Sequence, residues 1–221
     1  MGARDLRRSL AVYVVTSAGL VPGRGHVEVA RAAIEGGAGA VQLRAPELED
    51  RPWELLPLAT GIAALCRARG VVFIVNDLID VAIESGADGV HLGQGDEVVG
   101  VKDRLGPDRV LGLSVETPEQ AREAELMGAD YLGVTVFETK TKPEATPLGL
   151  DGLRGIVAAT ALPVVGIGGI AASNAPEVLS AGAAGVAVVS AVGGAEDPVG
   201  ATMELVRVVR GFFDEQNPGS S

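Results

Sequence analysis

Gly86-Ala-Asp-Gly-Val-His-Leu92 and Gly128-Ala-Asp-Tyr-Leu-Gly-Val134 share one pattern. Each closes an amphipathic segment on glycine and passes at once into a short apolar run. Glycine just past a helix end takes the left-handed conformation that stops the helix without a Cβ clash. Gly36-Gly-Ala-Gly39 and Gly182-Ala-Ala-Gly185 repeat the signal. Working outward, β-branched runs recur every ~20–25 residues, the rhythm of βα units. They fall at 10–16, 38–44, 71–76, 88–92, 110–114, 130–134, 162–167 and 185–190. Helices are expected at 26–35, 52–68, 78–85, 118–127, 150–159, 175–180 and 198–213. Continuous apolar runs suit parallel strands covered on both faces. An open doubly wound sheet would show Gly-x-Gly-x-x-Gly after its first strand. Val15-Thr-Ser-Ala-Gly-Leu20 does not. The expectation is an α/β chain folded as one (β/α)8 TIM barrel over 1–216, with 217–221 a disordered tail.

Composition narrows the function. Hydrophobic residues are 47% of the chain, yet no apolar run reaches the ~18 residues of a membrane helix. The apolar stretch 10–15 is too short for a signal-peptide core. No membrane association is expected, and a cytoplasmic location is. The lone Cys66 has no internal disulfide partner and reads as a helix-packing thiol. A net charge of −11 repels nucleic acid, and 3% aromatics leave little for base stacking. A small anionic ligand would need a local cationic cluster.

Barrel chemistry sits at the C-terminal ends of the strands. There the sequence places Gln42 and Arg44, Asn76-Asp77, His91 with Asp96 beyond it, Ser114, Glu138-Thr-Lys-Thr-Lys142, Gly168-Gly169 and Val189-Ser190. Packing alone does not explain so many polar groups on one rim. Asp77 and Asp96 follow adjacent strands, and paired carboxylates suit Mg²⁺. Each taken alone reads more readily as a helix cap. Arg44 ends an apolar run and needs an anionic partner, either a ligand or a structural carboxylate. Thr139, Lys140, Thr141 and Lys142 suit phosphate oxygens, or else form a solvated loop. Gly169 lets backbone approach a phosphate. His26 is expected in solvent near the first helix, and His91 as a packing and hydrogen-bonding residue. No Ser-His-Asp set or zinc cluster can be assembled from two histidines and one cysteine.

Taken together, Asn76-Asp77, His91-Leu-Gly-Gln-Gly-Asp96, Leu111-Gly-Leu-Ser114, Thr139-Lys-Thr-Lys142 and Ile167-Gly-Gly-Ile170 resemble the thiamine-phosphate synthase family, in order and spacing from Tyr13 to Ser190. The resemblance implies joining of a hydroxymethylpyrimidine diphosphate to a thiazole phosphate, with pyrophosphate released. It implies that Gln42, Arg44, Asn76, Ser114 and Lys142 hold the pyrimidine diphosphate, with Arg44, Lys142 and Ser114 catalytic. It places the thiazole phosphate on Thr139, Lys140, Thr141, Gly169, Val189 and Ser190, and Mg²⁺ on Asp77 and Asp96. The implied partners are small phosphorylated substrates, with a homo-oligomer an open expectation. Three positions depart from the family pattern. Pro46 stands where a lysine is usual, Leu78 where an arginine is common, and Thr135 where a Gly-Pro pair is lost. The alternatives are a thiazole tautomerase-like enzyme, which tends to lack the aspartate pair, a barrel that binds phosphate ligands without turnover, and another phosphate-binding barrel enzyme of sugar or amino-acid metabolism.

Overall fold

A computed structural model describes residues 3–93, 98–139, 141 and 145–216. Eight parallel strands close in sequence order: β1 (Val12–Val15), β2 (Ala40–Leu43), β3 (Val72–Asn76), β4 (Gly89–Leu92), β5 (Val110–Ser114), β6 (Tyr131–Thr135), β7 (Val164–Ile167) and β8 (Gly185–Val188), with β8 pairing back to β1. Helices α2 (His26–Glu35), α3 (Pro52–Arg67), α4 (Ile79–Ser85), α6 (Pro118–Leu126), α7 (Gly149–Val157), α8 (Ala175–Ser180) and α10 (Pro198–Gln216) alternate with the strands, as expected. Three helical pieces were not legible. α1 (Ala3–Ser9) has one large apolar residue, Leu6, among four charged ones. α5 (Val101–Leu105) is five residues long. α9 (Ser190–Gly193) is a single turn. α1 has a physical role: Leu6 and the following Leu10 are buried against Tyr13, Val72 and Val110 inside the barrel and fill its bottom.

The glycine signals do what their conformation allows. Gly37, Gly86, Gly128 and Gly182 all have positive φ, and each precedes an even-numbered strand. In two of these turns an aspartate then clamps the neighbouring strand. The Asp88 N–H donates to the Phe73 carbonyl at 2.9 Å while its carboxylate accepts the Phe73 N–H at 2.8 Å. Asp130 repeats this on Leu111, at 2.7 and 2.8 Å, and also takes Lys102 Nζ at 2.6 Å. Two bonds to one residue fix the register at the start of each pair, where a slip would turn every side chain to the wrong face.

Register decides which residues can line a site. Successive strand side chains point to opposite faces. Val12, Val14, Val41, Leu43, Phe73, Val75, Leu111 and Leu113 pack outward with the helices. Tyr13, Val15, Gln42, Asn76, His91, Ser114, Tyr131, Gly133, Thr135 and Ile167 face the pocket inside. Gln42, Arg44, Asn76, His91 and Ser114 thus share inward parity, while Asp77, the residue after Asn76, does not line the pocket.

The clamp yields a stability prediction. Asp130→Ala removes the acceptor for the Leu111 N–H and for Lys102. It should lower unfolding free energy by about 1–3 kcal/mol, the cost of leaving the part-buried Leu111 N–H unpaired, since Lys102 keeps the Arg109 carbonyl. A urea titration measures this, with Glu123→Ala on the exposed face of α6 as the neutral comparison.

Candidate active site

The open end of the barrel holds a pocket of about 900 Å³, including its solvent-facing mouth. Gln42, Arg44, Asn76, Ser114, Thr139, Thr141, Gly169, Val189 and Ser190 all line it, so the structure brings together nine of the residues marked from sequence. Asp96, Lys140 and Lys142 lie outside the described residues, as does the tail 217–221.

The two sides of the pocket differ in chemistry. On the β2–β3 side, Arg44 is half-buried, and its backbone N–H reaches Thr16 Oγ1 at 3.4 Å. Its guanidinium has no hydrogen-bond or ion-pair partner among the described residues. The structural salt bridge weighed from sequence is not formed there, although the charge of Arg44 acts on the nearby Glu47 carboxyl, and a half-buried cation with no ion pair suits an anionic ligand. Beyond Asn76, Asp77 is the one non-glycine residue with positive φ among the described residues, at 61°. That conformation costs of order 1–3 kcal/mol and persists where its surroundings hold it. Here Asn76 Nδ2 donates to the Asp77 carboxylate at 2.5 Å, and the Asp77 N–H donates to the His91 carbonyl at 2.9 Å. Asp77 is not the cap considered from sequence. The N-cap of α4 is Leu78, with no side-chain bond.

On the β7–β8 side the wall is backbone. Gly168 and Gly169 have φ of 89° and 62°. A Cβ on Gly168 would sit 2.7 Å from the Phe137 carbonyl, and one on Gly169 2.8 Å from the Glu138 carbonyl. Only glycine lets this turn pass under the loop after β6. On that loop the Thr139 and Thr141 hydroxyls lie 2.9 Å apart.

The floor is a polar chain that the sequence reading did not assemble. Gln42, Tyr13, Tyr131, His91 and Ser114 are joined by successive hydrogen bonds of 2.7 to 3.0 Å. The signal was present, since Tyr13 and Tyr131 are the only two tyrosines and each interrupts an apolar run. Glycines make room for them. A Cβ on Gly112 would overlap the Tyr131 ring, and one on Gly133 would press the His91 ring at 3.0 Å.

His26 corrects an expectation. It is 5% exposed rather than solvated. Thr16, at the end of β1, meets its Nδ1 at 2.8 Å, and Glu47 meets its Nε2 at 2.7 Å. Glu47 lies in a single 3₁₀ turn (Pro46–Leu48), where Pro46 begins the turn. Cys66 behaves as expected. It is fully buried, and burial, with Asp88 adding to it, pushes its thiol up to about 12.

Residues 12–192 match the family described as thiamine monophosphate synthase. The chain belongs to that family. A thiamine-phosphate synthase of Laribacter hongkongensis is 51% identical over 199 residues, covering 88% of this chain and 93% of its own. That of Moorella thermoacetica is 49% identical over 201 residues, covering 90% and 95%. The thiamine phosphate pyrophosphorylase structure from Pyrococcus furiosus superposes with a TM-score of 0.85 at 43% identity, over 94% of this chain and 98% of that one. Membership in the thiamine monophosphate synthase family makes the chain an enzyme, a transferase. Among the described residues no helix is long and apolar enough to cross a membrane.

Pro46, one of the positions where the sequence departs from the pattern expected from the resemblance, begins the 3₁₀ turn, and Glu47 follows it. The structure turns Glu47 onto His26. Burial alone would raise the Glu47 carboxyl. The bond from His26, a backbone bond and the charges of His26 and Arg44 outweigh it and hold the group below its ordinary value of 4.5. A carboxyl lowered on folding stabilises above its ordinary value and loses that contribution as pH falls through the lowered one. Glu47→Gln should therefore be less stable than wild type at neutral pH, with the gap closing below pH 4.5. Urea midpoints across that range measure it, and a gap that widens in acid contradicts it.

Proposed function

We propose that this pocket joins 4-amino-2-methyl-5-hydroxymethylpyrimidine diphosphate to 4-methyl-5-(2-phosphoethyl)thiazole, giving thiamine phosphate and pyrophosphate, or to its carboxylated form, which also loses carbon dioxide. The observation that carries the reading is the unpaired Arg44 guanidinium on one side of the pocket and the Gly168-Gly169 backbone on the other. Two anion sites on one rim match two phosphorylated substrates.

In this reading Arg44 and Asn76 hold the diphosphate, while Gln42 and Ser114 hold the pyrimidine. Lys142, from the loop after β6, joins Arg44 on the leaving group. The bond between the pyrimidine methylene carbon and the diphosphate oxygen breaks, and its electron pair leaves with pyrophosphate. The electron-rich aminopyrimidine spreads the positive charge left on the methylene. The thiazole nitrogen then gives its lone pair to that carbon. Thr139, Lys140, Thr141, Gly169, Val189 and Ser190 hold the thiazole phosphate so that the nitrogen faces the carbon. The chain's contribution is positioning and charge stabilisation.

Mg²⁺ belongs to the same reading. Asp77 and Asp96 would hold it, and the Asp77 carboxylate is the hard oxygen donor that this ion takes. The left-handed backbone that fixes Asp77 beside Asn76 supports a role beyond capping. When bound, the ion supplies positive charge for the leaving pyrophosphate. The tautomerase alternative needs neither Asp77 nor Lys142, whereas a barrel that keeps the pocket without turnover is separated by the release assay.

The test is pyrophosphate release by purified protein given both substrates and Mg²⁺. Release should require the thiazole phosphate and stop with a chelator. Arg44→Ala and Lys142→Ala should each lower kcat by roughly 10²-fold, the scale of one lost electrostatic donor. Binding of both substrates without release would overturn the reading in favour of a non-catalytic barrel.

A further inference from the structure

The floor chain has a direction. Gln42 Nε2 donates to the Tyr13 hydroxyl at 2.7 Å. Tyr13 and Tyr131 hydroxyls lie 3.0 Å apart, and the Tyr131 hydroxyl lies 2.9 Å from His91 Nδ1. His91 Nε2 lies 3.0 Å from Ser114 Oγ. Each hydroxyl carries one proton, and a neutral imidazole carries one on its two nitrogens. Burial raises both phenols well above their ordinary value, so both keep their protons.

Since Tyr13 accepts from Gln42, its own proton goes to Tyr131. The Tyr131 proton then goes to Nδ1. His91 is left with its proton on Nε2, which it donates to Ser114. The Ser114 proton has no place in the chain and turns toward the pocket.

We infer that Tyr13, Tyr131 and His91 are positioning residues that lock Ser114 as a hydrogen-bond donor and so select a ring nitrogen that accepts. The inference rests on the pyrimidine reading above for its ligand. A 4-aminopyrimidine presents a bare ring nitrogen beside its amino group. The 4-oxo counterpart carries a proton on that nitrogen, which sets donor against donor at Ser114. Buried polar sites reject a ligand that leaves their groups unpaired far more strongly than apolar pockets reject a change of size. Gly112 and Gly133 are part of the device, since a Cβ on either would meet the Tyr131 or His91 ring.

Two readouts test it. The first is the ¹⁵N spectrum of the imidazoles in the unliganded protein. There are two histidines, and a His91→Gln variant assigns the signals. His91 should carry its proton on Nε2 alone, and Tyr131→Phe, which loses one oxygen, should give a mixture of tautomers. A proton on Nδ1 in wild type overturns the inference. The second is the affinity for the aminopyrimidine diphosphate against its 4-oxo counterpart. Wild type should prefer the amino form by tenfold or more. Tyr131→Phe should bring the ratio toward one and leave thiazole phosphate affinity unchanged. In a Ser114→Ala background it should have no further effect. A ratio that Tyr131→Phe leaves intact, or an additive double variant, overturns the inference. If neither pyrimidine binds, the functional reading has failed, and the imidazole spectrum still decides the direction of the chain.

Discussion

A closed barrel of eight parallel strands has one interior, and every second residue of each strand must fill it. That constraint governs the rest of the molecule. Below, the inward positions are aliphatic, with Leu6 and Leu10 completing the seal. Near the open end the inward positions turn polar, and groups so placed are costly unless they are paired. The chain meets that demand by joining Gln42, Tyr13, Tyr131, His91 and Ser114 to one another. No buried side-chain nitrogen or oxygen among the described residues lacks a partner.

The same constraint separates scaffold from site. Asp88 and Asp130 clamp strand starts, far from chemistry, and are charged residues with a register role. Arg44 and Asn76 occupy strand ends of inward parity and face the pocket. The Pro46 turn lies between the two kinds. It places Glu47 on His26, so the negative charge beside Arg44 is tied back and the guanidinium keeps no carboxylate partner among the described residues.

The barrel was legible because its signals are local. Left-handed glycine before Ala and Asp, apolar runs of strand length and amphipathic spacers each depend on a few neighbouring residues. The rim residues were legible for a related reason, since strand ends can be located and polar side chains there have no packing explanation. What was missed depends on contacts between distant residues. His26 looks solvated until Thr16 and Glu47 are folded around it, from ten and 21 positions away. Tyr13 meets Tyr131 across 118 residues, and although each stands out in its own apolar run, nothing local says that the two meet. α9, a single turn, is too short for periodicity to declare it.

The central claim is that two anion sites face each other across one pocket, with the diphosphate on the β2–β3 side and the thiazole phosphate on the β7–β8 backbone. A crystal structure with thiamine phosphate, pyrophosphate and Mg²⁺ bound tests it most directly. The account places pyrophosphate against Arg44 and Asn76, and the phosphate of thiamine phosphate against Gly169 and Ser190. Finding the two exchanged, or both on one side of the pocket, would contradict it.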